Sequence, residues 1–190
     1  MLAGEVEGAD GAGQEGGVGL DPVAEGREQD WQATMDTNVV GLLRVTRTFL
    51  PLLRAAPHAH IVNLGSIAGF EVYPGGAGYT ASKHAVRAIT QTLRLELNGE
   101  PIRITEIAPG MVETEFSVIR FRGDTAKADD VYAGVEPLTA DDIADCIVWS
   151  VTRPPHVDID FMVVRPVAQA ASHLVARRSA DPPAATPGSP

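Results

Sequence analysis

Apolar side chains recur at alternating steps of three and four residues in two long segments, and this spacing predicts two amphipathic helices. The first covers residues 28–56, where Pro51 is expected to kink or end the helix near its last turns. The second covers residues 76–97 and is followed by the stop signal Asn98-Gly99. A third, shorter helix is predicted to begin at Thr139, because Ile143, Ile147 and Val151 give it an apolar face.

Three runs that are nearly continuous in apolar residues lie between these helices, at residues 60–66, 103–108 and 158–164. Such runs are typical of strands that are buried on both faces. Strands alternating with helices predict an α/β fold with a parallel sheet, built from about three strands and three to four helices. Residues 111–126 show no clear period, and this length is unusual for a connection, which suggests a functional segment.

The two ends of the chain differ from the middle in composition. Residues 1–26 hold eight of the 19 glycines and almost no large apolar residue, and residues 179–190 are rich in proline and alanine. Neither segment can bury enough apolar surface to offset the entropy lost on ordering, so both are predicted to be disordered. Residues 27–178 then form one domain.

Charge and cysteine content narrow the possible partners and location. The 15 lysines and arginines against 25 aspartates and glutamates give a net charge of −10, which argues against a nucleic-acid partner. The single cysteine, Cys146, suits a reducing compartment and is expected to lie in the core. No secretory signal and no apolar run of the ~18 residues needed to span a bilayer is visible. We therefore expect a cytoplasmic protein without a membrane partner.

Ser66, Tyr79 and Lys83 are the side chains most suited to catalysis. Tyr79 and Lys83 are four residues apart and therefore share one face of a helix, while Ser66 ends a predicted strand. A neighbouring ammonium lowers the pKa of a phenol, which makes the phenol a proton donor and acceptor nearer neutral pH. A hydroxyl at a strand end can hold a substrate oxygen. Taken alone, Tyr-x-x-x-Lys is more often a chance surface pair, but Ser66 and the preceding glycines favour the catalytic interpretation.

Other candidate residues carry weaker signals. Arg120 and Arg122 could pair with a substrate carboxylate or could simply be solvated charges. His58 and His60 have no third metal ligand nearby in sequence, and His84, His156 and His173 are isolated. We therefore predict no metal site.

Four segments in order resemble the short-chain dehydrogenase/reductase family. They are Asp36-Thr37-Asn38-Val39-Val40-Gly41, residues 61–69 around Ser66, Tyr79-Thr80-Ala81-Ser82-Lys83, and Pro109-Gly110-Met111-Val112-Glu113-Thr114. Later segments, including Pro166-Val167-Ala168-Gln169, are most similar to the branch of NADP-dependent 3-hydroxy acid and serine-type dehydrogenases. The resemblance covers about residues 28–175 and implies a doubly wound, Rossmann-type sheet, of which this chain holds the C-terminal part.

The resemblance also implies roles for individual residues. Tyr79 would be the acid/base, Lys83 would serve both the phenol and the nicotinamide ribose, and Ser66 would hold the substrate oxygen. Asn38 would bind a water that links Lys83 to solvent. Four residues would border the nicotinamide of NADP (or NAD): Pro109, Gly110, Val112 and Thr114. The implied reaction is hydride transfer between NAD(P) and a small hydroxy acid or another secondary alcohol or carbonyl.

One family feature is missing from the sequence. Members begin with a strand and a glycine-rich turn that cradles the cofactor pyrophosphate at a helix N-terminus. Residues 11–16 match Gly-x-Gly-x-x-Gly in letters, but no strand precedes them and no helix follows, so we reject this match. The sequence therefore predicts an N-terminally truncated member that lacks on the order of 90 residues, at about 30 per βα unit. Cofactor binding by this chain alone is then in doubt.

Two functions remain open from sequence. The first is the oxidoreductase; the alternative is a catalytically inactive remnant or a self-associating interaction module. The family assembles through its two long helices, here 28–56 and 76–97, which implies a homodimer or homotetramer. The strand at 60–66 is also expected to have an unpaired apolar edge, which would favour association.

Overall fold

The computed structural model describes residues 2–3 and 20–178. In chain order the elements are the strand β1 (Leu2–Ala3), helices α1 (Glu28–Met35) and α2 (Leu42–Ala55), strand β2 (Ala59–Leu64), helix α3 (Ala77–Glu96), strand β3 (Ile102–Pro109), helices α4 (Phe116–Arg120), α5 (Thr125–Tyr132) and α6 (Ala140–Val151), and strands β4 (Phe161–Val164), β5 (Gln169–Ala171) and β6 (Leu174–Val175). A π-helical segment, Asp36–Gly41, joins α1 to α2, and a 3₁₀ helix, Ile67–Gly69, follows β2.

Four strands form one parallel sheet in the order β1-β2-β3-β4. Leu64 is paired with Ile107, and Pro109 is paired with Val164, so β2, β3 and β4 end at the same edge. In open α/β sheets, ligands bind in the crevice outside this carboxyl edge. The predicted α/β fold with a parallel sheet is confirmed.

Apolar side chains cover both faces of the sheet. On one face Ile61, Ile102 and Ile104 pack against Leu93 and Leu97 from the α3 region. On the other face Val62 and Ile107 pack against Ile143 of α6. This two-sided burial explains why β2 and β3 read as continuous apolar runs in the sequence.

Several boundaries differ from the sequence prediction. The helix predicted at 28–56 is interrupted by the π-helical turn, and α2 continues past Pro51 to Ala55. The last strand begins at Phe161, because both carboxylate oxygens of Asp158 instead accept the backbone N–H of Ile104 at 3.1 Å. Residues 111–126 are not irregular throughout, since they contain α4 and the start of α5. Cys146 is half-buried rather than a core residue.

The edge of β2 is also different from the prediction. Leu2 and Ala3 pair with Ile61 and Val62, so part of this edge has a neighbour. Within the N-terminal segment predicted to be disordered, residues 20–26 are described and include a turn in which Glu25 and Gly26 donate to the Pro22 carbonyl at 2.9 Å. The rest of that segment and the predicted tail at 179–190 lie outside the described residues. No helix of the described chain is long and apolar enough to cross a membrane.

Candidate active site

The end of β2 places Ser66 at the carboxyl edge of the sheet. Ser66 has an extended backbone and caps the following 3₁₀ helix, because its Oγ accepts the N–H of Ala68 at 3.1 Å. The residue is 9% exposed. In this contact the hydroxyl acts only as an acceptor, which leaves its hydrogen for a substrate oxygen.

Tyr79 and Lys83 lie on the first turns of α3, beside the end of β2. Lys83 Nζ donates to the carbonyl of Leu64 at 3.1 Å, which ties this part of the helix to the strand that carries Ser66. The same Nζ is 5.8 Å from the centre of the Tyr79 ring. The helical spacing of four residues thus brings a phenol and an ammonium together, as the sequence predicts.

Asn38 lies in the π-helical turn between α1 and α2. Its Nδ2 donates to Ser82 Oγ at 3.0 Å, and Ser82 Oγ donates to the carbonyl of Tyr79 at 2.7 Å. Ser82 is fully buried. Single π-helical turns often occur at functional sites, and this one connects Asn38 to the turn of α3 that holds Tyr79 and Lys83.

A cavity of about 930 Å³ opens at this edge of the sheet. Nine of the ten residues that the sequence nominates line it: Asn38, Ser66, Tyr79, Lys83, Pro109, Gly110, Val112, Thr114 and Arg120. We call Asn38, Ser66, Tyr79 and Lys83 the catalytic wall. Residues 111–132, which run from the end of β3 through α4 and α5, form the opposite side and are called the facing wall.

Arg120, at the end of α4, extends from the facing wall towards the catalytic wall. Its guanidinium carbon is 5.0 Å from the centre of the Tyr79 ring and 4.5 Å from that of Phe116, and its Nη2 donates to the Tyr73 hydroxyl at 3.2 Å. The Nε of Arg120 is buried and has no hydrogen-bond partner among the described residues. A buried donor without a partner is costly. Because Arg120 lines the cavity, a carboxylate there could accept hydrogen bonds from its guanidinium.

Arg122, which the sequence nominates as a substrate-binding residue, is not among the residues that line the cavity. Its Nη2 instead pairs with the carboxylate of Asp30 on α1 at 2.8 Å. The backbone of Arg122 has a φ of +55°, which is uncommon for a residue other than glycine. This turn carries the side chain away from the cavity while Arg120, two residues earlier, stays in it.

Tyr73, Gln169 and His173 are among the cavity residues that the sequence did not nominate. Tyr73 binds Arg120, and burial raises the pKa of its hydroxyl above the usual range, although the Arg120 guanidinium opposes that shift. Gln169 is buried, and its Oε1 accepts the N–H of Met111 at 2.8 Å. His173, which the sequence presents as isolated, also lines the cavity. Only the tertiary fold brings these residues to the site, so no local pattern could have revealed their position.

The loop after β3 packs against Gln169. A Cβ built on Gly110 would lie 2.2 Å from Gln169 Oε1, so a side chain at this position would displace the Gln169 amide that accepts the N–H of Met111. Together with Pro109, Tyr79 and Lys83, this loop could hold the nicotinamide end of a dinucleotide. The glycine run at 11–16 lies outside the described residues. In the part of the chain that the structure describes, no three His, Cys, Asp or Glu side chains are grouped as a metal site.

Comparison with known proteins gives consistent matches. The family model for short chain dehydrogenase matches residues 10–123. An uncharacterized oxidoreductase of Mycobacterium tuberculosis is 53% identical over 164 residues, which cover 86% of this chain and 64% of that protein. The NADP-dependent 3-hydroxy acid dehydrogenase of Escherichia coli is 40% identical over 162 residues, covering 85% of this chain and 65% of that protein.

A solved structure agrees with the sequence matches. The closed form of a serine dehydrogenase complexed with NADP+ superposes with a TM-score of 0.80 and 39% identity, covering 85% of this chain and 66% of that one. The chain thus spans slightly less than two thirds of the length of these relatives. The strand ends, the ordered motifs and these matches lead to one conclusion: the chain belongs to the short-chain dehydrogenase family.

Proposed function

We propose that this chain provides the catalytic centre of an NADP-dependent oxidoreductase that interconverts a small hydroxy acid and the corresponding carbonyl compound. The observation that carries the proposal is that a group suited to proton transfer and a group suited to binding a carboxylate line the same cavity. Tyr79, beside Lys83 and Ser66, forms one side of the cavity, and the guanidinium of Arg120 lies 5.0 Å from the centre of the Tyr79 ring.

In the proposed reaction, Tyr79 handles the proton of the reacting oxygen. During reduction the carbonyl oxygen takes the phenolic proton of Tyr79 while its carbon receives a hydride; oxidation of the alcohol reverses both transfers. NADPH, when bound, supplies that hydride. Lys83 lies near enough to the Tyr79 ring to stabilise the phenolate that remains.

Ser66 and Asn38 have supporting roles in this proposal. The Ser66 hydroxyl donates to the reacting oxygen and holds it within reach of Tyr79. Asn38, through Ser82, fixes the turn of α3 that carries the catalytic pair, and it is the residue at which a water would relay protons from Lys83 to solvent. Proton transfer then needs no large movement of the catalytic wall.

Arg120 gives the proposal its substrate class. Its guanidinium faces the Tyr79 ring at 5.0 Å, so a short molecule with an alcohol or carbonyl near a carboxylate could contact both residues. Arginine binds carboxylates through paired hydrogen bonds, which are stronger than neutral ones. The names of the 3-hydroxy acid and serine dehydrogenases support a carboxylate-bearing substrate.

The residues that we propose to bind the cofactor would contact only its nicotinamide and the ribose attached to it. Lys83 and Tyr79 would contact the ribose, and Pro109, Gly110, Val112 and Thr114 would border the nicotinamide. The choice of NADP over NAD rests on the relatives, one named as NADP-dependent and one solved with NADP+.

Self-association is part of the same proposal. Leu52 on α2 and Leu95 on α3 are 67% and 78% exposed, which leaves apolar surface on both long helices. A second copy of the chain would bury this surface in a dimer or tetramer. Light scattering after size-exclusion chromatography tests this, and a monomer at tens of micromolar would contradict it. The cytoplasmic location stays a proposal that cell fractionation can test.

The carboxylate assignment is tested with matched acid and ester substrates. NADPH oxidation is followed for a small 3-keto acid and for its methyl ester, with the wild-type chain and with Arg120→Met. The substitution should raise the KM for the acid and leave the KM for the ester nearly unchanged. Equal effects on the two compounds would overturn the substrate class while leaving the role of Tyr79 intact.

A further inference from the structure

The carboxyl group of Glu106 is buried behind the catalytic wall. Glu106 lies on β3, opposite Asn63 of β2, and is 2% exposed. Within the described part of the chain its Oε1 has no hydrogen-bond partner. Burying an unpartnered carboxyl is expensive, and an apolar residue at this position would be less costly. Such a group in a native fold calls for a functional explanation.

Glu106 is packed against the backbone that joins β2 to Ser66. A Cβ built on Gly65 would lie 2.3 Å from Glu106 Oε1 and 3.1 Å from its Cγ and Cδ, so the glutamate fills the space of a side chain at position 65. The residues on either side of Gly65 belong to the site. Leu64 provides the carbonyl that binds Lys83 Nζ, and Ser66 provides the hydroxyl.

Positive groups on α3 face the same carboxyl. Arg87, Arg94 and Lys83 each favour the ionised form of Glu106, while Asp160, just before β4, opposes it. Burial is the largest effect, and it raises the pKa of Glu106 above its usual range. Arg87 Nη1 and Arg94 Nε are also buried and lack hydrogen-bond partners among residues 20–178. The carboxyl thus lies among cations that include the catalytic lysine.

We propose that Glu106 is a positioning residue of the catalytic wall. Its side chain packs against the Leu64–Gly65–Ser66 backbone, and its carboxylate is a counter-charge for Lys83. This inference rests on the proposed function, because Glu106 positions catalytic groups only if the cavity is an active site. The packing of Glu106 against Gly65 and its charge near Lys83 can be measured whether or not the chain turns over. Removing the carboxylate should change the surroundings of Lys83, and removing the whole side chain should let the backbone at Gly65 relax. A displacement of about 1 Å at such a site can reduce the rate on the order of 100-fold.

The packing contact is tested by a double-mutant cycle on the full chain. Gly65→Ala alone should lower the free energy of unfolding in urea, because the added methyl meets the Glu106 carboxyl. The same substitution should cost less in a Glu106→Ala background, where space is available. Equal costs in the two backgrounds would mean that Glu106 does not support Gly65 and would overturn the proposal.

The effect on Lys83 is tested by NMR of ¹³C-labelled lysine. The chain contains two lysines, Lys83 and the surface residue Lys127, so the second is an internal control. Glu106→Gln keeps the shape of the side chain and removes its charge. The Lys83 Cε signal should move while that of Lys127 stays, and Glu106→Asp should restore part of the change. An unchanged Lys83 signal in a folded Glu106→Gln variant would refute the counter-charge.

Kinetics separate this inference from the proposed function. Where the wild-type chain turns over, Glu106→Gln should lower kcat by about 10-fold or more and shift the pH profile, with little change in the KM of the acid substrate. A normal kcat and pH profile would overturn the positioning role. If the wild-type chain does not turn over, the proposed function fails, while the unfolding cycle and the Lys83 signal still decide the role of Glu106.

Discussion

The catalytic wall and the facing wall enclose the same cavity but are built in different ways. The catalytic wall is formed by the end of a buried parallel strand and the first turns of a 20-residue helix. The facing wall is formed by a five-residue and an eight-residue helix and by a turn with a positive φ. Ser82 and Asn63 beneath the catalytic wall are buried, whereas in the facing wall Arg122 is about half-exposed and Lys127 is largely exposed.

This difference in construction suits the two walls to different tasks. Chemistry needs groups held in fixed positions, and the catalytic wall is anchored by hydrogen bonds to the sheet. Selection among substrates needs a surface that can vary without disturbing the core, and the facing wall contacts α1 through the Arg122–Asp30 ion pair and Tyr79 through the Phe116 ring. The predictions below therefore assign loss of turnover to one wall and loss of selectivity to the other.

The largest effect is expected for Tyr79→Phe. Removal of the phenolic oxygen should reduce turnover by about 10²–10⁴-fold, because general acid–base catalysis is lost. NADPH binding, read from nicotinamide fluorescence, should hardly change, since the ring and Lys83 remain. Tyr132→Phe is the matched control at the facing wall, where the hydroxyl donates to the Val112 carbonyl. Retention of most turnover by Tyr79→Phe would show that the proton route is wrong.

The scaffold of the catalytic wall should lose stability in acid through His60 on β2. Burial lowers the pKa of His60 to about 4, with Arg103 as a second cause, and its Nε2 lies 2.7 Å from Thr105 Oγ1. A histidine binds its proton more readily in the unfolded chain, near pH 6.5. Neutral His60 therefore contributes fully to the stability of the fold above pH 6.5. Its contribution to the free energy of unfolding falls by about 2–3 kcal/mol as the pH drops to 4.

Urea unfolding at several pH values tests this prediction. His60→Gln should flatten the decline between pH 6.5 and 4, while the exposed His58→Gln should follow the wild type. A decline of the same steepness in the His60→Gln variant would mean that other groups are responsible.

At the facing wall, Arg120→Lys should affect selectivity more than rate. A lysine keeps the positive charge but cannot form the two parallel hydrogen bonds that a guanidinium makes with a carboxylate. A hydrogen bond between charged groups is worth about 1.5–3 kcal/mol. We therefore expect the KM for an acid substrate to rise by roughly 10- to 100-fold. Arg122→Lys is the matched control two residues away, outside the cavity. If both variants raise the KM equally, the cavity position of Arg120 has no special role.

The smallest effect is expected for Asp30→Asn, which removes the ion pair between α1 and the facing wall. The hydrogen bond from Arg27 is the main cause that lowers the pKa of Asp30, and Arg122 adds to it. A lowered carboxylate pKa stabilises the fold above about pH 4, and this contribution is lost as the pH falls through the folded value.

Because both arginines are about half-exposed, we expect a cost of only about 1 kcal/mol at pH 7 and a smaller cost at pH 2. Unfolding curves at both pH values measure it. Asp129→Asn, an exposed aspartate on α5, is the control. A cost that is equally large in strong acid would point to packing rather than charge.

The sequence predicts the catalytic wall better than the facing wall, for a physical reason. Buried strands and long amphipathic helices impose periods on the chain, and Tyr79 and Lys83 are related by one such period. The pairing of Arg122 with Asp30, 92 residues away, has no local signature. Gln169 and His173 likewise reach the cavity only because the C-terminal segment folds back across the loop after β3.

The same reasoning explains two further differences. The π-helical turn at Asn38 leaves the apolar period of the first helix nearly unchanged, so the sequence shows one continuous helix. The start of β4 depends on Asp158, whose carboxylate caps the backbone of Ile104 on a neighbouring strand. Such long-range polar contacts determine the residue at which a strand begins. From composition alone, β4 would be expected to begin earlier, at residue 158.

The central claim is that Tyr79 of the catalytic wall gives a proton to the carbonyl oxygen of a carboxylate-bearing substrate, while NADPH would supply the hydride to the carbonyl carbon. The most direct test gives the full chain NADPH carrying deuterium at the transferable position together with a small 3-keto acid. Because no glycine-rich turn is recognised in the sequence, NADPH is raised until its fluorescence signal levels off. Mass spectrometry should find deuterium on the carbinol carbon with the wild type and about 10²–10⁴-fold less with Tyr79→Phe. Absence of deuterium in the wild-type product at saturating NADPH would contradict the account and favour a non-catalytic module.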